Sequence, residues 1–476
     1  MLVERALVGL YLAGCITIGI IASRRALSSR DEYWVAGRRV GTVVNAMALM
    51  ASLASGGSII GVMGLAYAQG IPATLALFTG SVVGFSIAAF LVAGQLRRFG
   101  KYTITDFLTF RYPHKIVAYL VPIFIVVAFL IYIVAQLKAA GITAVVLLGI
   151  PYETALVLAC VVFIAYVSIG GMTAITWTDV VQGSLMLVIV VGAAVFVMLR
   201  EGSPATLLVQ ATSSYPELGQ VTQHPVSMYL GNFIIWATAI PVIPHIVMRV
   251  LSAKDPVAAK LSLNIAMLAF GVLILTAVFT LVPLGKTMFP GLTDPDQVFL
   301  NIMAEQFPPV VRGAAVAAVL AAVMSTTDAL LLACSSAIAH DILGGVVGRL
   351  SSRGQSAVRI GSAWGIGIVA MFLALSPPEL ITEFYTAGVG LLSASLFVPT
   401  VFGLWWSKAN LTGGIAALVV GAAIYVVVLL GVVPIGYAPI VIALPASAIA
   451  MMVGGILGAA ETEAMLHRVG ALHGGE

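Results

Sequence analysis

The chain has 476 residues, 61% of them hydrophobic and 9% charged, with a mean hydropathy of +1.10. Those values lie far outside the range of water-soluble globular proteins. They exclude a soluble enzyme, and the formal net charge of +4 is accounted for by basic loops at anionic lipid headgroups rather than by a nucleic-acid partner. The composition is that of an all-α polytopic membrane protein.

Thirteen apolar segments reach spanning length, at 5–23, 41–68, 72–95, 116–149, 151–169, 174–199, 228–249, 260–284, 311–343, 357–376, 380–406, 411–431 and 435–458. The first lacks the basic start and small-residue cleavage pattern of a secretory signal, so it reads as a true helix outside the functional core. Its cytoplasmic loop completes an N-terminal unit, 1–40. The second segment holds ASLASGGS at 51–58, which puts Gly56, Gly57 and several serines at mid-depth. GKYTITDFLTFRYPHK then reads as a short amphipathic helix capped at Thr103 or Thr105 and ended by Pro113. The fourth segment carries Lys138, the one basic residue deep in a span. In the seventh, Pro241 and Pro244 each remove a backbone donor. Irregular backbone at that depth is tolerated only against protein or a water-filled cavity, and paired broken helices opening two halves point to a transporter site. On that pattern 41–199 forms a first five-helix repeat and 200–406 an outer loop with a second, inverted one. Residues 407–476 add two helices and a short tail.

The ninth segment contains AAVMSTTDALLLACSSAIAHD, 321–341, a stripe of hydroxyls and a carboxylate inside an apolar helix. An ionised Asp328 near the bilayer centre costs roughly 2.5–3.5 kcal/mol, and a bound cation is the leading candidate to offset it. Basic residues orient the whole: with the N-terminus outside and the C-terminus cytoplasmic, 18 of the 23 Lys and Arg fall on the cytoplasmic side. Cys15, Cys160 and Cys334 all lie in spans and read as packing residues. Asn410 begins a glycosylation-type triplet on the predicted cytoplasmic side, where it would not be used.

The order of DEYWVAGRRVG, ASLASGGSIIGVMGLAYAQG, TITDFLTFRY, GGMTAITWTDVVQGSLM, PHIVMRVLSAKD, AAVMSTTDALLLACSSAIAHDI and GLWWSKANLTGGIAALVVG resembles the sodium/solute symporters over nearly the whole chain. Leu53 stands where proline-type carriers have an Asp, and MSTTDALLL looks more like pantothenate, monocarboxylate and choline-type members. The resemblance implies an inverted five-plus-five fold with broken first helices, and sodium as coupling ion. Its sodium shell maps onto carbonyls of Ala51, Ala54 and Ala322 and hydroxyls of Ser325 and Thr326, an all-oxygen set suited to a hard cation. Asp179 matches an acidic position that in some relatives helps a second sodium, whose hydroxyl partners here become Asp328 and Ala329. Asp179 and Asp328 are therefore candidates for a second cation or a proton.

The substrate is expected at mid-depth near Ser55, Gly56, Ser58, Lys138, Trp236 and Pro241, with Tyr67 and Tyr385 lining or closing the cavity. Lys138 reads as an anchor for a substrate carboxylate, as a partner of Asp328 or Asp179, or as a snorkelling side chain. His245 and Arg249 read as a proton relay or as a gate held to a carboxylate such as Asp255. The function implied is sodium-coupled import of a small polar solute, an organic anion or zwitterion such as a monocarboxylate, pantothenate or amino acid. Proton coupling on the same fold is the alternative. A transporter-like sensor is less favoured, since the tail is too short for a signalling domain. No nucleophile, metal or cofactor motif for an enzyme is seen, and no obligatory protein partner is implied beyond solute, sodium and the lipid bilayer.

Overall fold

Helices form along the apolar runs, and Pro122, Pro283, Pro399 and Pro445 lie within helices without ending them. The computed structural model describes residues 2–26, 29–434 and 436–474, and among them eleven helices are long and apolar enough to cross a membrane, or twelve with one bent pair. In chain order we label α1 Leu2–Ala22, the bent pair α2 Thr42–Leu53 and α3 Gly57–Gln69, and α4 Ile71–Phe99. There follow the short α5 Ile104–Arg111, then α6 Lys115–Leu148, α7 Tyr152–Ala165 and α8 Gly170–Glu201. The second half holds α9 Val226–Ala239 and α10 Pro244–Ser252, which form one span, then α11 Pro256–Met288, α12 Pro309–Ile342, α13 Arg353–Ala374 and α14 Ile381–Trp405. Last come α15 Leu411–Leu429, α16 Pro439–Leu457 and the short α17 Glu463–Gly470. Thirteen crossings are therefore not established. The segment expected at 151–169 is represented by α7, which is shorter than the other spans and continues into α8 through a kink at Gly171 (φ 54°, ψ −168°), backbone geometry that glycine alone adopts freely.

Local chemistry sets the ends. Thr103 caps α5: its hydroxyl accepts from Asp106 N at 3.0 Å while Asp106 Oδ2 accepts from Thr103 N at 3.2 Å, a reciprocal capping box. Asn410 Oδ1 accepts from Gly413 N at 2.9 Å and so caps α15; its side chain is buried, a physical reason against glycosylation. Ile243 precedes Pro244 and takes ψ 122°, the extended geometry that a following proline enforces, and Pro244 then opens α10.

The helices pair reciprocally. The broken first helix of one half packs on the second helix of the other, α2 on α11 and α9 on α4; the third packs on the fifth, α6 on α14 and α12 on α8. Such mutual pairing is what a pseudo-twofold axis between two inverted repeats produces. At α4–α9 it rests on Gly80 and Gly84, which face the backbone of Phe233 and Trp236. The central helices are α9–α10 and α12, with 94% of their most apolar windows buried, against 17% for α1 at the edge.

Candidate functional site

The site begins where α2 loses its helical path. Ala54 (φ −71°, ψ 67°) ends the helix, and α3 resumes at an angle of 61°. Breaking the ladder frees backbone groups that must find other partners at a depth without bulk water. Leu53 O accepts from Ser58 Oγ and from Ser55 N, both at 2.7 Å, and Gly56 N donates to Gln136 Oε1 on α6 at 3.0 Å. A side chain at Gly56 would meet Ala139 Cβ at 2.8 Å, so glycine is required by the close approach of α6.

Into this break α12 brings its hydroxyls. Ser325 Oγ donates to Ala51 O at 2.9 Å, with Ala322 O at 3.1 Å, and Thr326 Oγ1 donates to Ser52 O at 3.1 Å. All these residues and Ala54 are fully buried. Hydrogen bonds thus gather Ala51, Ala322, Ser325 and Thr326 in one cluster, and Ala54 closes the same turn of α2. The carbonyl of Ser52 joins them, an oxygen that sequence reasoning missed. A hydroxyl that rotates its proton away presents lone pairs, so the same atoms can turn from donors into ligands of a hard cation.

The carboxylates of the stripe's surroundings divide. Asp179 on α8 accepts from Ser52 Oγ at 3.2 Å and from the Arg249 guanidinium, which also donates to Thr176 Oγ1 at 3.0 Å. Both partners of this ion pair are buried. Arg249 is therefore bound to Asp179 and not to Asp255, whose carboxylate instead caps α11 through Ala258 N at 2.7 Å. The expected loop gate is corrected accordingly: a guanidinium inside the membrane needs a buried counter-charge, and Asp255 lies in the loop. Asp328 is also fully buried, yet neither of its oxygens has a hydrogen-bond partner. His245 is buried against Phe129, ring centroids 5.5 Å apart, and its Nδ1 has no partner.

An aromatic wall faces the two breaks. Tyr385 on α14 stacks on Tyr132 of α6 at 4.8 Å and meets Trp236 of α9 edge-on at 5.9 Å, while Gly57 lies against its ring. Tyr132 OH donates to Ser55 Oγ at 3.4 Å, and Ser55 Oγ lies 3.3 Å from Ser58 Oγ. Gln136 Nε2, Trp236 Nε1 and Thr386 Oγ1 are buried without hydrogen-bond partners. Pro241 sits buried in the second break. Ser55, Gly56, Ser58 and Trp236 are thus brought around the breaks, and Tyr132 and Gln136 join them. The signal for Gln136 was a neutral polar residue one turn from an aromatic in an otherwise apolar run.

Lys138 is paired, but with carboxylates the sequence reading did not name. Its ammonium donates to Asp296 Oδ2 and to Glu379 O, both at 2.7 Å, with Asp294 Oδ1 at 3.7 Å. It pairs with neither Asp328 nor Asp179, and a cation so engaged is not free to anchor a substrate. Asp296 lies in the α11–α12 loop and also accepts from Ile381 N at 3.0 Å. Tyr67 likewise serves this loop, donating to Phe289 O and accepting from Leu292 N at 3.2 Å.

Comparison with known proteins gives the family and the fold. The family model for the sodium:solute symporter family matches residues 33–421. The sodium/pantothenate symporter of Escherichia coli K12 is 28% identical over 95% of this chain and 96% of its own, and the sodium/proline symporter of the same organism is 30% identical over 87% and 85%. A sodium-coupled sialic acid symporter, solved substrate-bound and outward-open, shares the fold at a TM-score of 0.75 and 19% identity, covering 97% of this chain and 98% of the other. These relatives are transporters and not enzymes, and sodium is the coupling ion. The chain belongs to the sodium:solute symporter family.

Proposed function

We propose that the chain imports a small organic anion or zwitterion by alternating access, driven by sodium held at Ala51, Ala54, Ala322, Ser325 and Thr326. The observation that carries this reading is the direct contact of Ser325 and Thr326 with the carbonyls of the broken helix. A cation there ties α2 to α12, so its occupancy biases how the two halves, 41–199 and 200–406, sit against each other. Arg249 already neutralises Asp179, so a second sodium at Asp179 and Asp328 would have to displace a guanidinium; we therefore propose one sodium per cycle. With a zwitterion, one net charge moving through about 100 mV supplies about 2.3 kcal/mol and a tenfold sodium gradient about 1.4 kcal/mol, enough for several hundred-fold accumulation. A monoanion carried with a single sodium moves no net charge and is left with about the tenfold of the gradient.

The solute lies beside Ser55, Gly56, Ser58, Trp236 and Pro241. The solutes named for the relatives, pantothenate, proline and sialic acid, all carry a carboxylate. With Lys138 engaged elsewhere, a carboxylate here is received by neutral donors: the start of α3, Gln136 Nε2 and Trp236 Nε1. The N-terminus faces outward, as the basic loops require. Uptake into proteoliposomes at fixed pH, with sodium exchanged for choline, tests the coupling. Loss of accumulation is expected; accumulation driven by a pH gradient without sodium would establish proton coupling instead. Thermal-shift screening of carboxylates with and without sodium identifies the solute, because a ligand of the native state raises the melting point.

A further inference from the structure

We propose that the chain carries a transition-metal site, separate from the sodium site, where α5 meets the end of α12. Asp106 stands in the first turn of α5, and His340 and Asp341 lie at the end of α12. His340 Nε2 is 3.2 Å from Asp106 Oδ1 and 3.9 Å from Asp341 Oδ1, and one donor atom of each residue lies within 4.8 Å of the other two. A tetrahedral ion with ligand bonds of about 2.0–2.2 Å needs donors roughly 3.3–3.6 Å apart, so the His340–Asp106 edge is already close to that spacing and the other two close by shifts of about 0.3 Å and up to about 1 Å.

The surroundings are built for a bound ion. The Asp341 side chain is 2% exposed, and its Oδ1 accepts from Thr103 Oγ1 at 3.2 Å, which fixes it as outer hydrogen bonds fix metal ligands. Thr105 lines the same wall, with its hydroxyl beside the Asp341 carboxylate. The three ligands border a cavity of about 670 Å³, which leaves the remaining coordination positions open to water. Arg98, Lys101 and Arg468 stand on its rim. Arg98 donates to Leu472 O at 3.1 Å and Arg468 lies 4.6 Å over the Phe110 ring. Their charge disfavours magnesium or calcium, which bind by charge and oxygen alone. It leaves the advantage to ions that bond imidazole, such as zinc, nickel or cobalt.

Such an ion would cross-link α5 to α12 about 22 Å along the same helix from Ser325, at 1.5 Å per residue. It would restrain movement of α5 against α12 and so slow the release of sodium, a regulatory consequence that rests on the sodium site proposed above. Cobalt(II) added to the purified full chain should give visible absorption with one ion bound per chain, competed by zinc. His340→Ala and Asp106→Asn should each weaken binding at least tenfold, while the sodium-dependent thermal shift stays, showing the variants folded and the sodium reading intact. Micromolar zinc should inhibit sodium-driven uptake reversibly by EDTA, and His340→Ala should abolish the inhibition. Equal cobalt binding by wild type and His340→Ala, or none by either, overturns the site. Binding without any effect on uptake overturns its regulatory role.

Discussion

Ser325 and Thr326 are worth testing singly because each reaches a different carbonyl of α2, Ala51 and Ser52. Ser325→Ala and Thr326→Ala should each raise the sodium concentration for half-maximal uptake about tenfold or more, equivalent to about 1.4 kcal/mol; a sodium titration of initial rates checks this. Arg249 and Asp179 form a buried pair. Asp179→Asn should destabilise the protein by about 3–5 kcal/mol by stranding the guanidinium, and the double change Asp179→Leu with Arg249→Met should recover much of it. Thermal unfolding of the three proteins, read side by side, decides. At this scale the hydroxyls were legible from sequence, since Ser, Thr and Asp in an apolar helix cost energy that function must offset. Partners were not: Arg249 and Asp179 are 70 residues apart, and nothing local says which carboxylate a guanidinium meets.

Elements decide how the site is covered. The α11–α12 loop is clasped onto α6 and the start of α14 through Asp296, Lys138, Glu379 and Ile381. Gly64 of α3 lies against the backbone of Asp296, where an added Cβ would come within 2.9 Å of its Cα. This places the clasp over the broken helix, on the face predicted outside. Lys138→Met should loosen it and raise access of a thiol reagent to a cysteine introduced at Ser55, with sodium affinity little changed. Burial pushes the Asp296 carboxyl up to about 6, against the pull of Lys138. A hydrated carboxylate in the opened loop returns to about 3.9, so the closed form binds the proton more tightly. The clasp is therefore favoured at low pH and weakens as pH rises through about 6. Lowering the outside pH from 7 to 5 should slow uptake, and Asp296→Asn should remove that dependence. The clasp was not legible because Asp296 sits in a loop whose sequence carries no periodic pattern, and Lys138 reads equally as anchor, ion pair or snorkelling side chain.

For the whole molecule, sodium should act as a ligand of the native state. At a hundred times its dissociation constant it should stabilise the folded protein by about 2.7 kcal/mol, an increase lost in the Ser325→Ala, Thr326→Ala double variant. Differential scanning fluorimetry across a sodium series, with potassium as control, measures it. The chain by itself determined that this is a helical membrane protein, where most of its spans lie to within a few residues, and which two spans break. Hydropathy and the Gly and Pro positions act locally, and a bilayer permits few answers. Motif order carried the family and, through it, the proposal of which residues hold sodium. Only the tertiary structure decided that Lys138 serves the α11–α12 loop, that Arg249 occupies Asp179, that Gln136 and Tyr132 line the break, and that Asp106 meets His340 and Asp341. Those are contacts between distant segments, fixed by the reciprocal packing of two inverted repeats, and no local pattern in the sequence encodes them.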